Sequence, residues 1–238
     1  MSSERAGSLY LLPNTLGDTA PGAVIPEAVL QRTRSLDYFI AEDPKTARAF
    51  LKRVGPALPL QGIRIERLDH NTRPQDIMAL LGPLLEGRDA GLLSEAGLPA
   101  VADPGASLVR LAHERSVRVV PLSGPSSIPL ALAASGLEGQ RFAFHGYLPV
   151  EGGKLASSLK ELERESRQRR QTQIFIETPY RNERTLAALL RALDPATLLC
   201  VAADLTLETE SVRTEPVAAW RKAARAIGRR PAVFLFLA

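Results

Sequence analysis

The residues most suited to chemistry form one segment of small and acidic residues, Ser94-Glu95-Ala96-Gly97-Leu98-Pro99-Ala100-Val101-Ala102-Asp103-Pro104-Gly105. Small residues such as glycine let a ligand approach the backbone closely. The carboxylates of Glu95 and Asp103 could receive an ammonium group or ribose hydroxyls. Taken alone, the last three residues are more typical of an ordinary turn before a helix.

Two other turn segments also follow strand-like runs. Leu12-Pro13-Asn14-Thr15-Leu16-Gly17-Asp18 has a single glycine, so it lacks the GxGxxG pattern that cradles a dinucleotide pyrophosphate. It could also be a simple polar exit loop. Ser123-Gly124-Pro125-Ser126-Ser127 opens a helix-like run. Its serines could cap that helix, or present hydroxyl and backbone N–H groups to a ligand carboxylate.

The elements that would position these turns alternate between strand-like and helix-like runs. The strand-like runs are 8–12, 37–41, 89–94, 117–121, 141–144, 172–177, 197–203 and 232–237. The helix-like runs are 26–34, 45–54, 74–86, 106–115, 126–135, 155–169, 182–193 and 217–226. This alternation predicts an α/β protein with largely parallel sheets.

The turn-rich stretch 121–125 indicates a domain boundary. We therefore predict a mostly parallel N-terminal α/β domain over residues 1–121 and a C-terminal α+β domain over residues 122–238. In open α/β sheets ligands bind beyond the carboxyl ends of the strands. A cleft is accordingly expected near Pro13, Ser94 and Ser123.

Composition excludes several classes of protein. Among 238 residues there is one cysteine, Cys200, and the three histidines lie far apart, so no metal is expected. No apolar stretch approaches the ~20 residues that span a bilayer, and the polar start, with both charge signs, is not a signal peptide. We therefore expect a cytoplasmic protein without a membrane segment.

The net charge of +4 is unevenly distributed. Residues 1–150 carry 15 basic and 15 acidic side chains, whereas residues 151–238 carry 15 and 11. Arg164, Arg167, Arg169 and Arg170 form the densest basic run. Such a run could attract RNA, but the interleaved glutamates are equally typical of a solvated helix face.

The three turn segments, in this order, resemble the tetrapyrrole-methylase superfamily. Within it they resemble the branch that methylates ribose 2′-hydroxyls of small-subunit ribosomal RNA. The resemblance rests on a proline-containing loop after the first strand, then S-[DE]-A-G-x-P-x-[VI]-[SA]-D-P-G, then V-V-P-x-x-G-P-S. Further matching segments are Ala41-Glu42-Asp43, His70-Asn71, Gly146-Tyr147-Leu148-Pro149 and Glu177-Thr178-Pro179-Tyr180-Arg181.

The resemblance implies a two-domain homodimer that binds S-adenosylmethionine between its domains. The cofactor contacts that it implies in the first part of the chain are Pro13, Ser94, Glu95, Ala96, Gly97, Val101, Ala102, Ser126 and Ser127. Those that it implies from the second domain are Tyr147, Asp204, Leu205, Pro231 and Ala232.

The sequence departs from the family pattern at three places. Residues 14–18 replace the usual T-P-I-G-N, Glu95 replaces an aspartate, and Leu98 replaces a threonine. The chain also resembles a short form that lacks an additional C-terminal region. These departures leave the cofactor expectation intact and raise the question of a different substrate.

A ribose hydroxyl is a poor nucleophile, so a general base is expected. The candidates are Asp43 and Glu177, with Arg181 meeting a phosphate. In the structural interpretations, Glu42 and Asp43 cap helix 45–54 and Glu177 pairs with Arg181. RNA, a ribosomal subunit above all, is the expected acceptor; the alternatives are a tetrapyrrole or other small molecule, or a non-catalytic protein that binds the cofactor or RNA.

Overall fold

A computed structural model describes residues 6–223 and 226–238. The chain divides into two compact units, Met1–Ser126 and Ser127–Ala238. Within the described residues, no helix combines the length and apolarity needed to cross a membrane.

The first unit is a parallel sheet with helices packed on it. Its strands are β1 (Ser8–Leu12), β2 (Tyr38–Ala41), β3 (Arg64–Arg67), β4 (Ala90–Leu93) and β5 (Arg118–Pro121). Its helices are α1 (Pro21–Val24), α2 (Glu27–Ser35), α3 (Pro44–Val54), α4 (Pro74–Leu85) and α5 (Gly105–Glu114). The strand order is β3-β2-β4-β1-β5, and all neighbouring strands are parallel.

Burial explains which strands lie at the centre of this sheet. All residues of β2 and β4 are buried, as expected for strands covered on both faces. Phe39 packs with Phe50 and Leu51 of α3 on one face. On the other face, Ile40 packs with Leu81 of α4 and its neighbours. The sheet therefore holds the carboxyl ends of its strands in fixed positions along one edge.

The second unit contains a mixed sheet. Its strands are β6 (Phe142–Tyr147), β7 (Thr172–Glu177), β8 (Leu198–Ala203), β9 (Ser211–Pro216) and β10 (Ala232–Leu237). Its helices are α6 (Ser127–Ser135), α7 (Gly152–Arg169), α8 (Asn182–Ala192) and α9 (Val217–Lys222). The order is β6-β7-β10-β8-β9, in which β6 and β7 are parallel and the other pairs antiparallel.

The core of this unit is built on aromatic residues. Phe175 and Phe234 stack with their ring centroids 5.3 Å apart. The buried Trp220 of α9 donates a hydrogen bond from Nε1 to the Leu199 carbonyl at 2.9 Å. The ring stacking joins β7 to β10, and the hydrogen bond of Trp220 attaches α9 to β8.

The predicted fold class is confirmed, and most predicted elements occur within a few residues of their expected bounds. Three expectations were wrong in detail. Helix α7 begins at Gly152 instead of residue 155, β6 continues to Tyr147 instead of ending at 144, and α9 ends at Lys222 instead of 226. Residues 224–225 of that last prediction lie outside the described residues. Strands β3 and β9 and helix α1 were not predicted as such.

Candidate functional site

The loops that follow β1 and β4 are joined at the carboxyl edge of the first sheet. The Asn14 N–H donates to the Gly97 carbonyl at 2.9 Å, and the Gly97 N–H donates back to the Asn14 carbonyl at 3.2 Å. Adjacent strands of a parallel sheet end at one edge, where ligands bind in open α/β proteins. Two of the three turn segments singled out from sequence therefore meet at the expected edge.

Asn14 also ties this edge together with its side chain. Its Nδ2 donates to the carbonyls of Ser94 at 3.1 Å and Glu95 at 3.0 Å, while its Oδ1 accepts from the Thr15 N–H at 2.8 Å. The residue is buried. The sequence placed Asn14 in the turn segment after the first strand but indicated no contacts for its side chain; its turn-forming residue type directly after a strand was the available signal.

Close backbone packing brings the third loop to the same edge. A Cβ on Gly124 would lie 2.3 Å from the Cβ of Pro13, so only glycine fits beside that proline. Gly97 has φ +72°, and a Cβ there would lie 3.6 Å from the Pro125 carbonyl oxygen. The loops after β1, β4 and β5 are thus packed against one another, and Ser126 at the end of the third loop is buried.

The remainder of the Ser94–Gly105 segment is a strained loop. Ala100 and Ala102 adopt positive φ angles of 64° and 56°, which L residues rarely adopt. Asp103 holds this conformation, because its Oδ1 accepts from the N–H groups of Ala100 at 3.1 Å and Gly105 at 2.7 Å. Val101, between the two strained alanines, is 45% exposed. The loop therefore presents backbone and small side chains to solvent.

Carboxyl groups gather at this edge, and their pKa values differ. Burial, and then the charges of Glu95 and Asp103, raise the pKa of Glu42, which directly follows β2. Burial also raises the pKa of Asp103. Asp43, by contrast, caps α3: its carboxylate accepts from the Lys45 N–H at 3.1 Å and the Thr46 N–H at 3.2 Å.

The hydrogen bonds to Asp43 indicate which of the two neighbouring carboxylates, Glu42 or Asp43, is the stronger base. The Thr46 hydroxyl donates to Asp43 Oδ2 at 2.8 Å, and this bond lowers the pKa of Asp43 together with those from the backbone. A lowered pKa makes a carboxylate a weaker base. The helix-cap interpretation of Asp43 is the one found in the structure, and Glu42 is the stronger base candidate at this edge.

In the second unit, the strand register gathers the other predicted residues at one end of the sheet. Tyr147 lies beside Ile176, Glu177 beside Ala232, and Ala232 beside Ala203. The Asp204 N–H, one residue beyond β8, donates to the Pro231 carbonyl at 3.0 Å. Predicted residues at this end are Tyr147, Glu177, Arg181, Asp204, Leu205, Pro231 and Ala232.

Glu177 and Arg181 form a nearly buried ion pair. The distance between Arg181 Nη2 and Glu177 Oε1 is 2.5 Å, and the two side chains are 17% and 7% exposed. The second carboxylate oxygen of Glu177 accepts from the Thr185 hydroxyl at 3.1 Å. The charge of Arg181 is therefore already compensated within the protein, as in the structural interpretation of this pair.

The turn before β10 is held by the start of α8. Asn182 Nδ2 donates to the carbonyls of Gly228 at 3.0 Å and Arg230 at 2.7 Å. Arg230 in turn lies 3.4 Å from Asp204 Oδ2, which also accepts from the Thr209 hydroxyl at 2.8 Å. Asn182 was predicted from sequence only as the start of a helix, and Arg230 was not singled out. Their role depends on long-range contacts that no local pattern reveals.

The basic run of α7 lies at the opposite end of the second sheet from Glu177. Helix α7 ends at Arg169, just before β7 begins, whereas Glu177 is the last residue of β7. A six-residue strand separates its ends by about 17 Å. Arg141 Nη1 reaches the Arg169 carbonyl at 3.5 Å and joins the cluster, while Arg169 pairs with Glu165 at 2.8 Å.

No group of three or more histidine, cysteine, aspartate or glutamate side chains within residues 6–223 and 226–238 is placed to hold a metal ion.

Solved structures share the fold of this chain. The structure of the methyltransferase CobJ gives a TM-score of 0.63 over 98% of this chain and 94% of its own, at 17% identity. The cobalamin biosynthetic enzyme cobalt precorrin-4 methyltransferase gives 0.61 over 97% and 94%, also at 17% identity. At this level of identity the likeness concerns the fold alone.

Relatives by sequence are more informative about the family. Ribosomal RNA small subunit methyltransferase I of Escherichia coli O157:H7 is 34% identical over 219 residues, which are 91% of this chain and 72% of that protein. The protein of the same name from Vibrio cholerae is 31% identical over 210 residues, or 88% and 69%. The family described as Tetrapyrrole (Corrin/Porphyrin) Methylases matches residues 27–220.

Fold and sequence relatives together define a two-domain α/β enzyme of the methyltransferase class. The chain belongs to the tetrapyrrole methylase family. The resemblance seen in the three turn segments is thereby confirmed, including the likeness to relatives that are named small-subunit ribosomal RNA methyltransferases.

Proposed function

We propose that the protein transfers a methyl group from S-adenosylmethionine to RNA, with a ribose 2′-hydroxyl of small-subunit ribosomal RNA as the acceptor. The observation that carries this proposal is the junction of Asn14 and Gly97, which joins two of the three turn segments at the carboxyl edge of a parallel sheet, where open α/β proteins bind ligands. The names of the relatives support the choice of acceptor.

The first unit offers features that fit the cofactor. S-adenosylmethionine supplies an electrophilic methyl group on a sulfonium and carries an ammonium group. The exposed carboxylate of Glu95 complements the ammonium, and the open backbone at Val101 and Ala102 allows close approach. Gly97, whose positive φ lets the chain turn beneath Pro125, keeps the backbone of this turn free of a side chain.

Glu42 is the proposed general base for the acceptor hydroxyl. A raised pKa brings a carboxylate closer to the pH at which it must remove a proton, which favours general-base catalysis. Burial and the charges of Glu95 and Asp103 raise the pKa of Glu42 in this way. Asp43 and Glu177, the candidates chosen from sequence, instead accept several hydrogen bonds each.

The other residues implied by the family resemblance keep their proposed roles. Pro13, Ser94, Ala96, Ser126 and Ser127 are proposed to contact the cofactor from the loops after β1, β4 and β5. Tyr147, Asp204, Leu205, Pro231 and Ala232 are proposed to contact it from the second unit. Their gathering at one end of the second sheet supports this assignment.

The direct test combines binding with methyl transfer. Calorimetry with S-adenosylmethionine and its demethylated product should give heat and thermal stabilisation. Labelled cofactor should then transfer its methyl group to small ribosomal subunits or total RNA. No heat and no stabilisation at millimolar ligand would refute the cofactor. Label appearing only on a tetrapyrrole or other small molecule would refute the RNA acceptor, and binding without any product would indicate a non-catalytic protein.

We also propose that the protein acts as a homodimer in the cytoplasm, as the family resemblance implies. Sedimentation at micromolar concentration should show a species of twice the monomer mass. A monomer under these conditions would contradict the dimer and leave the cofactor proposal unaffected.

A further inference from the structure

A pocket of about 260 Å³ lies in the first unit beside the Glu95-Ala96 turn. The loop after β1 forms one wall, and one face of α3 forms the other. Its lining residues are Asn14, Thr15, Leu16, Gly17, Asp18, Thr46, Ala49, Phe50, Arg53, Glu95 and Ala96. The pocket thus touches two of the proposed cofactor contacts and is otherwise built from residues without an assigned role.

The lining of this pocket combines apolar and polar side chains, and its charged groups belong to three segments. Leu16 of the loop and Ala49 of the helix supply apolar surface, whereas Phe50 is largely buried. Arg53 lies 3.7 Å from Asp18 Oδ1 and also donates to the Thr19 carbonyl, so it fastens the loop to α3. With Glu95, the charged lining consists of two carboxylates and one guanidinium.

Two of the three departures of the sequence from the family pattern lie at this pocket: residues 14–18, of which Gly17 matches the pattern, and Glu95. The third, Leu98, is not part of the lining.

We propose that this pocket receives an unpaired nucleobase of the acceptor RNA, an inference that rests on the proposed function. A volume of about 260 Å³ is below the ~300–1,000 Å³ of pockets for whole drug-sized ligands, so it suits one ring system and not a macrocycle. A planar base can pack against the apolar surface of Leu16 and Ala49, and its exocyclic amino group can donate to Asp18. A ligand with several carboxylates would instead be repelled, because the charged lining consists of two carboxylates and only one arginine.

Filling the pocket tests this assignment. Ala49 is an exposed helix residue that lines the pocket, so Ala49→Leu adds volume there without disturbing the core. Lys52→Leu on the exposed face of the same helix, outside the lining, is the matched control. We expect Ala49→Leu to lower kcat/KM for RNA at least ~10-fold, since a misplaced acceptor loses alignment. Its affinity for S-adenosylmethionine and its Tm should match those of the control.

The outcomes separate this inference from the proposed function. Unchanged kcat/KM in Ala49→Leu would show that no acceptor group enters the pocket. Loss of S-adenosylmethionine binding in that variant would assign the pocket to the cofactor. Wild-type protein that binds no cofactor, or methylates only a small molecule, would refute the proposed function itself.

Base recognition provides a second measurement. Oligocytidylate, which carries an exocyclic amino group on each base, should inhibit methyl transfer more strongly than oligouridylate of equal length. Asp18→Asn should reduce this preference, because the amide replaces one carboxylate acceptor with a group that also donates. Equal inhibition by the two oligonucleotides would overturn base recognition by the carboxylates of this pocket.

Discussion

Glu42 and Asp43 are neighbours in sequence, yet their surroundings move their pKa values in opposite directions. The hydroxyl and N–H donors of α3 stabilise the ionised form of Asp43. Glu42 has the charges of Glu95 and Asp103 nearby, and it is partly withdrawn from water. Because both are acidic residues at a strand end, their residue types alone could not tell which one caps a helix.

Glu42→Gln should slow methyl transfer and leave cofactor affinity within about twofold, since general bases typically contribute ~10²–10⁴-fold. It should also change the dependence of stability on pH. The raised pKa means that folded protein keeps a proton that the unfolded chain has lost above the ordinary value near 4.5. The stability that this proton contributes is present below that value and is lost as pH rises through the raised pKa.

The Tm of Glu42→Gln relative to wild type should therefore increase between pH 4 and neutral pH. Thermal unfolding across this range measures the effect, with Glu114→Gln at the exposed end of α5 as the control. A constant Tm difference would show that Glu42 ionises as freely in the folded protein as in the unfolded chain.

Asn14 holds the loop after β1 against the loop after β4. Asn14→Ala would remove two donors from the carbonyls of Ser94 and Glu95. Leaving the buried Ser94 carbonyl unpaired costs ~1–3 kcal/mol, and the bond to the Glu95 carbonyl is only partly buried, so we expect about 2 kcal/mol of lost stability. Cofactor affinity should fall with it, because the turn after β4 loses its attachment. Denaturant unfolding and calorimetry measure the two effects.

Asn71→Ala in an exposed loop is the control for Asn14→Ala. If Asn14→Ala unfolded at the same denaturant concentration as this control, the loop after β1 would be held by its backbone bonds alone.

The Glu177–Arg181 pair is the corresponding structural tie at the start of α8. Removing one partner of a buried pair typically costs ~3–5 kcal/mol, and both side chains are largely buried. We expect Arg181→Met to destabilise the fold by about 3 kcal/mol. Combining it with Glu177→Gln should cost less than the sum of the two single changes. Additive losses in this double-mutant cycle would show that the two groups do not depend on each other.

Glycine at position 97 illustrates the limit of reading a loop from sequence. The motif predicts a ligand contact there, and Gly97→Val would be the obvious probe. With φ +72° and Leu16 Cδ2 only 3.2 Å from an added Cβ, however, any side chain strains the turn itself. Loss of binding in that variant would therefore be accompanied by loss of stability.

At the level of elements, the sequence predicts the central strands well and the edge strands poorly. β2 and β4 are buried apolar runs, which are recognisable without knowledge of the partners. β3, with the sequence Arg-Ile-Glu-Arg, is a sheet edge that charged residues protect from further pairing. Because of these charges, β3 is not recognised as a strand when strands are predicted from apolar runs. The hydrogen-bond partners of Asn14 and Asn182 are distant in sequence, so a local pattern can indicate a turn or a helix start there but not these contacts.

For the whole molecule, the α7 arginines place the proposed attachment of RNA far from the proposed site of methyl transfer. Arg167, Arg169 and Arg170 lie about 17 Å from the Glu177 end of the second sheet along β7. Under the proposed function they would hold RNA phosphates remote from the reacting ribose.

Replacing Arg167, Arg169 and Arg170 together with glutamine should weaken RNA binding and make it less sensitive to salt. Each neutralised phosphate releases counterions, so three lost contacts should reduce the slope of log K against log salt by about 2. Affinity for S-adenosylmethionine and kcat at saturating RNA should not change, because these arginines lie at the far end of the sheet. The control replaces Arg110, Arg115 and Arg118, exposed arginines of the first unit, and alters net charge equally. An equal loss of RNA affinity in both triple variants would attribute the binding to overall charge and not to the end of α7.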